Sequence, residues 1–300
     1  MANYTYLFPD FAKVEDVLKK YNDKISNSDI RVIYHTEIHR LKKEKDKFIL
    51  ESTDNVKINA DAVVVATGYK VFDATIKEEF GYKIFDNVIT SVDLEKMIRE
   101  NNIITSKGEK PGRIAFIHCV GSRDAKVGNL YCSRVCCITA IKQAIEVKKL
   151  LPDAEIFCFY IDLRLYGSNF DSIYLTAQRD YRIQFIRGRL SETSEKLDKS
   201  LLIKAEDTLS GRPLQMHVDM IVLMAGMEPG NFSQYMKNEG YLPNDDNGFL
   251  KQKNPHTERN FTIEEGIFLA GTCTGPMSVG ETIDHSKAAA LEVIKFLNQN

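Results

Sequence analysis

The sequence predicts an α/β protein built from two domains of related design. Three observations carry that expectation. Over 113–186, apolar and amphipathic stretches alternate as strand, helix, strand, helix, strand, the order that builds a parallel sheet with right-handed crossovers. The run DMIVLMAG at 219–226 repeats the pattern of DAVVVATG at 61–68: an Asp, a buried strand, a Gly turn. Turn residues crowd into GEKPG at 108–112 and mark a domain boundary. A chain of 300 residues suffices for two domains, or for one domain with another inserted.

Taken in order, the first predicted element is a helix over 13–25, because Val14, Val17, Leu18 and Tyr21 follow the i, i+3, i+4, i+7 spacing. Strands are expected over 30–41, 48–52 and 56–58. The charge run from Lys42 to Lys47 joins the first two as a solvated hairpin tip. The continuous β-branched run at 61–68 reads as a strand buried on both faces of a parallel sheet. Residues 70–110 read as a polar connector with one helix near 93–100. Beyond the boundary come a strand over 113–118, a cysteine loop, a helix over 133–150, a strand over 155–161, a helix over 170–178 and a strand over 183–186. Two further strands, over 201–205 and 214–218, flank the turn LSGRP at 209–213. The chain closes with a strand over 266–270, the turn GTCTGP at 271–276, and a helix over 281–297, whose Ala288, Ala289 and Ala290 allow close packing.

Composition narrows the class. A hydrophobic share of 43% and a charged share of 27% are ordinary for a soluble globular chain. A net charge of −2 leaves no basic footprint for nucleic acid. The start, MANYTYLFPD, lacks the basic and apolar regions of a secretory signal, and no run approaches the roughly 18 apolar residues of a membrane span. Clustered cysteines then point to a reducing compartment, the cytoplasm, and to metal ligation in preference to disulfides.

Four of the six cysteines fall within nineteen residues, Cys119, Cys132, Cys136 and Cys137, spaced C-x12-C-x3-C-C. They occupy a strand-to-helix junction, where a nucleotide-binding βαβ unit would carry a Gly-rich pyrophosphate cradle. Four soft thiolates favour zinc or an iron–sulfur cluster. Zinc sites usually close with C-x2-C knuckles, which are absent, and adjacent cysteines suit the separated iron corners of a cuboidal cluster. A third reading is four reduced cysteines packed as small hydrophobes. With Cys132 in the first helical turn, Cys136 would be its i+4 neighbour on one face. Arg123 and Arg134 would place positive charge beside a cluster and raise its potential, or form ordinary surface ion pairs. Cys158 reads as core.

These pieces together resemble the two-dinucleotide-domain flavoproteins related to thioredoxin reductase, and the combination of CVGSRD, YCSRVCC, DMIVLMAG and AGTCTGP resembles the A subunit of heterodisulfide reductase and its quinone-interacting and sulfur-oxidising relatives. The resemblance runs from about residue 30 to the C-terminus. It implies a thioredoxin-reductase-like fold whose second domain is inserted in the first: a partial FAD domain over 1–110, an inserted NAD-domain-like unit over 111–228, and the rest of the FAD domain over 229–300. It implies an oxidoreductase, the electron-transfer subunit of a complex, passing electrons between FAD and a [4Fe–4S] cluster. The cluster ligands would be Cys119, Cys132, Cys136 and Cys137. The other cofactor-binding residues would be Ile38, Thr67, Gly68, Gly121, Ser122, Arg123, Gly271, Thr272, Met277, Ser278 and Thr282.

The chain departs from that pattern in carrying no G-x-G-x-x-G, so it is expected to start after the unit that grips the FAD pyrophosphate and to work with other subunits of a redox complex; either one of these supplies that unit or the chain is a fragment whose FAD site is incomplete. Thr272 stands where relatives of thioredoxin reductase carry an acid, and the ferredoxin-type inserts are absent. Cys273, in the flavin loop, is either redox-active or packed; His118 and His285 flank the two cofactor regions. Asp162 resembles an NAD-ribose acid but reads as structural without a glycine loop. Two other functions stay open: a non-catalytic assembly protein that keeps the cluster without flavin, and an NAD(P)H-dependent flavin disulfide reductase. The latter requires a C-x-x-C pair that the chain lacks.

Overall fold

The computed structural model describes residues 6–7, 12–45, 47–167, 169–239 and 241–299. The chain divides into two compact units. The first takes Met1–Asp23 and Val71–Gly226, and the second Lys24–Lys70 and Met227–Asn300, each over its described residues. The helix expected near the start is present as Val14–Ser26.

The first unit is organised by a five-stranded parallel sheet in the order Gln184–Arg187, Glu155–Tyr160, Arg113–Val120, Met220–Ala225, Val88–Thr90. Every pairing in it is parallel, as the alternating strand and helix pattern predicts. The central strand is apolar almost throughout because both faces are covered. Ile114 and Phe116 point to a layer containing Ile141 and Ile145 of the helix Cys136–Leu150. Ala115, Ile117 and Val120 point the other way, with Leu201 and Ile203. Those last two belong to an antiparallel meander, Leu190–Glu195, Leu201–Asp207 and Arg212–Val218.

Two expectations about this unit require correction. Its long segment begins at Val71, well before the boundary expected at 111, because Val88–Thr90 pairs with Met220–Ala225. A Thr90–Asp93 capping box then starts the helix Ser91–Arg99, which buries Leu94 and Ile98 in the same core. The helix expected from 133 begins only at Cys136: Arg134 takes a left-handed conformation (φ 60), so Cys132 stays in the loop and outside the first helical turn.

The second unit pairs Val63–Val65 in parallel with Ile267–Leu269. Beside that pair lies an antiparallel sheet of Ile38–Glu44, Lys47–Ser52 and Lys57–Ala60. The charge run does form the hairpin tip, though Asp46 lies outside the described residues. The strand expected over 30–41 exists only from Ile38, and Ile30, Val32, Ile33 and Tyr34 are exposed. Val63 and Val65 are buried while Val64 is 44% exposed, so this apolar strand is covered on one face and not on both as expected. The closing helix, Val279–Gln299, sets Phe296 edge-on to Phe268. Among the described residues no helix is long and apolar enough to cross a membrane.

Candidate functional site

The cysteine loop leaves the central strand through a run of left-handed residues: Cys119 (φ 60), Gly121 (φ 72) and Arg123 (φ 53). Such a conformation costs a non-glycine residue roughly 1–2 kcal/mol, so the surrounding contacts must hold it. The strongest is a buried ion pair, Lys77 Nζ to Asp124 Oδ2 at 2.7 Å, reinforced on the lysine side by Glu79 at 2.7 Å. Arg123 donates from Nη2 to Asp162 Oδ2 at 2.8 Å, and its backbone N–H to the Tyr131 carbonyl.

The loop folds back so that Cys119, Cys136 and Cys137, each no more than 4% exposed, come together. Their sulfurs share hydrogen bonds, with Cys136 between the other two. Hydrogen bonding to Cys136 is the main cause that lowers the pKa of both Cys119 and Cys137, and it raises that of Cys136 itself. The group thus favours negative charge on the outer sulfurs. His118 packs beside Cys137 and adds to that preference. Cys132, partly exposed, accepts the Arg134 N–H at 3.3 Å. Among the described residues no group of three or more His, Cys, Asp or Glu side chains is placed so that it could hold a metal ion. The donor set nevertheless fits a thiophilic group, and the surrounding polar atoms fit an acceptor-rich one. Ser122 Oγ and Arg123 Nη1 are buried without a hydrogen-bond partner, an expensive condition unless something accepts from them.

Gly121 has a different task from the cofactor contact expected of it. A Cβ there would lie 2.1–2.4 Å from ring atoms of buried Phe72, so the glycine admits the ring and no open cradle remains at its Cα. Gly121→Ala should therefore combine overpacking with left-handed strain and destabilise the first unit by about 3 kcal/mol. Urea unfolding measures this, and the cost of Gly121→Ala should be smaller when measured in a Phe72→Ala background. Gly226 plays a similar part, since a Cβ would meet Ser133 Oγ at 2.7 Å and Ser122 Cβ at 3.1 Å.

In the second unit Gly68 (φ 72) faces Thr272, and Gly271 (φ 73) faces Thr282, so these four of the expected residues converge. Thr67 is exposed, Met277 is buried, and Ile38 opens its strand half-buried. Ser278 and Glu281 form a reciprocal cap on the closing helix, Ser278 N to Glu281 Oε2 at 2.8 Å and Glu281 N to Ser278 Oγ at 3.2 Å. The Gly271 N–H donates to His285 Nδ1 at 2.9 Å. Burial lowers the His285 pKa, so the fold prefers the neutral ring. The sign is that of a histidine which binds its proton more readily when unfolded: stability falls as pH drops below about 6.5. Acid titration of thermal unfolding should show this loss, and His285→Gln should flatten the profile. Cys273 is fully buried, donates to the Val65 and Ala270 carbonyls at 3.3 Å, and is pushed up to about 11 by burial, so it packs. Cys158, 0% exposed and likewise pushed up, is core.

Residues 23–290 match the family described as pyridine nucleotide-disulphide oxidoreductase. The chain belongs to that family. Over 246 residues it is 39% identical to the A subunit of the H(2):CoB-CoM heterodisulfide,ferredoxin reductase of Methanothermobacter thermautotrophicus, across 80% of this chain and 37% of that protein. It is 38% identical over 250 residues to the iron-sulfur A subunit of the CoB–CoM heterodisulfide reductase of Methanocaldococcus jannaschii, across 81% of this chain and 38% of that one. The chain therefore spans less than two-fifths of the length of these relatives. Its fold is that of thioredoxin reductases: TM-score 0.66 at 17% identity for the T. acidophilum enzyme, covering 99% of this chain and 86% of that one. For the Lactococcus lactis enzyme the TM-score is 0.69 at 14% identity, covering 99% and 87%.

One polar cluster carries no signal that the sequence analysis used. Lys142, Gln143 and Glu146, on the helix that starts at Cys136, and Glu95, on the helix Ser91–Arg99, are all buried together. The i,i+4 Lys142–Glu146 pair is the kind normally read as a solvated face; the flanking apolar residues of ITAIKQAIEV were the available signal.

Proposed function

We propose that this chain is the flavin and iron–sulfur electron-transfer part of a heterodisulfide-reductase-like complex, working in the cytoplasm with other subunits. The observation that carries the reading is the trio of buried sulfurs, Cys119, Cys136 and Cys137, brought together where the central strand hands over to the helix. Cys119, Cys132, Cys136 and Cys137 would hold a [4Fe–4S] cluster, which supplies one-electron transfer when bound. The loop's task is to exclude water from three of the sulfurs and to compensate charge with Arg123. Ile38, Thr67, Gly68, Gly271, Thr272, Met277, Ser278 and Thr282 would hold FAD, which supplies exchange between two-electron and one-electron carriers. A glycine-loop unit on another polypeptide segment would complete the pyrophosphate grip. Phe72 over Gly121 argues against a nicotinamide dinucleotide at the cysteine loop.

A second reading, an iron–sulfur protein without flavin, is favoured by the engaged Gly271 N–H and the Ser278–Glu281 cap, which use donors a phosphate would want. The absorption spectrum of anaerobically purified protein separates the two. A broad iron–sulfur shoulder with flavin bands supports the first reading, the shoulder alone supports the second, and flavin bands alone remove the cluster from both.

A further inference from the structure

We propose that Arg123, supported by Ser122, is the residue that sets the reduction potential of the group held by the four cysteines, and that Asp162 is its counterweight. The inference rests on the iron–sulfur reading and sharpens it, because two arginines lie beside the cysteines and the structure treats them differently. Arg123 is drawn inward. Its Nη1 is buried and unpartnered, and its guanidinium lies within electrostatic reach of both Cys119 and Cys132. Its Nη2 is fixed by Asp162, and its main chain by the Tyr131 carbonyl and by Arg189, which donates to the Arg123 carbonyl at 3.0 Å. Ser122, fully buried, has an Oγ with no partner on the same stretch. Arg134 lies instead over the Tyr166 ring, 5.1 Å from its centroid.

A cluster that accepts one electron becomes one unit more negative, and no proton is needed to balance that change. A fixed cation within electrostatic reach of the cysteine site favours the reduced form more than the oxidised one, which raises the potential. Asp162 opposes this. Its carboxylate takes the other arm of Arg123 and also pairs with Arg187 at 3.1 Å, while its carbonyl lies 3.8 Å from the Cys137 thiol. The result is a dial with two positions of opposite sign on one side-chain pair. A purely structural Arg123–Asp162 bridge would make either substitution act in the same direction, through disorder of the loop.

The test is a redox titration of the anaerobically reconstituted chain followed by electron paramagnetic resonance, with iron measured in every sample. Arg123→Gln is expected to keep its iron and to lower the equilibrium constant for one-electron reduction at least about tenfold, a shift of about 59 mV. Asp162→Asn, which keeps the hydrogen bond and removes the charge, is expected to shift the potential upward; Arg134→Gln should shift it less than either. If Arg123→Gln loses its iron, Asp162→Asn alone decides by the sign of its shift. Unchanged potentials in iron-replete variants, or shifts of the same sign in both, overturn the proposal and leave the cluster reading intact. An unaltered chain that binds no iron overturns both.

Discussion

Replacing Lys142 by methionine is expected to destabilise the first unit by about 3–5 kcal/mol, because it takes the Lys142 ammonium away from two buried carboxylates. Lys142 Nζ lies 3.3 Å from Glu95 Oε2 and 3.4 Å from Glu146 Oε2, with Glu95 0% and Glu146 4% exposed. Glu95 retains the Gln143 amide at 2.7 Å, a neutral donor that offsets only part of the loss. The pH dependence distinguishes this mechanism from simple loss of packing. Burial raises Glu146 to about 7 from 4.5 even with Lys142 present. A carboxyl raised in the fold contributes stability that is complete below about 4.5 and is lost as pH rises through about 7. Without the ammonium Glu146 holds its proton more strongly still, so the deficit of Lys142→Met should be larger at about pH 8 than at about pH 5. Adding Glu146→Gln should recover part of it. Urea midpoints at the two pH values provide the check, and an identical deficit at both would show that the charges are not what is lost.

Cys136→Ala and Cys137→Ala are each expected to lose nearly all iron and to lower the stability of the reconstituted first unit by several kcal/mol, since binding energy of a structural metal group is folding energy. Both sulfurs are buried at the start of one helix and are hydrogen-bonded to each other. Neither can be replaced by moving Cys158, which lies within the strand Glu155–Tyr160 and is 0% exposed. Cys273→Ala, in the second unit, should keep its iron. Iron assays together with thermal unfolding of the reconstituted variants measure both effects. Full iron in Cys136→Ala and Cys137→Ala would falsify the ligand assignment.

Much of the first unit was legible because its signals are local. The strand at 113–120 and that at 220–225 are continuous apolar runs, and the intervening helix carries its own periodicity. What escaped depended on neighbours distant in sequence. Val88–Thr90 is three residues long, too short to carry a period, and becomes a strand only because Met220–Ala225 offers it an edge. LSETSE at 190–195 is polar at every position after Leu190 and pairs by virtue of Leu201–Asp207. The reverse happened at 30–37, where an apolar composition found no pairing partner. At the site, the spacing placed the cysteines together, but it could not reveal that Arg134 would stop the helix short of Cys132. Nor could it show that Phe72 would cover Gly121, a contact between residues 49 positions apart (121 minus 72).

The central claim is that Cys119, Cys132, Cys136 and Cys137 hold one cubane cluster, and metal analysis addresses it directly. Iron and acid-labile sulfide should be quantified on the anaerobically reconstituted chain, with paramagnetic resonance recorded after dithionite reduction. The account predicts about four irons and about four sulfides per chain, with a signal from the reduced cluster. A chain that instead holds zinc at full stoichiometry, or that takes up no iron, contradicts it.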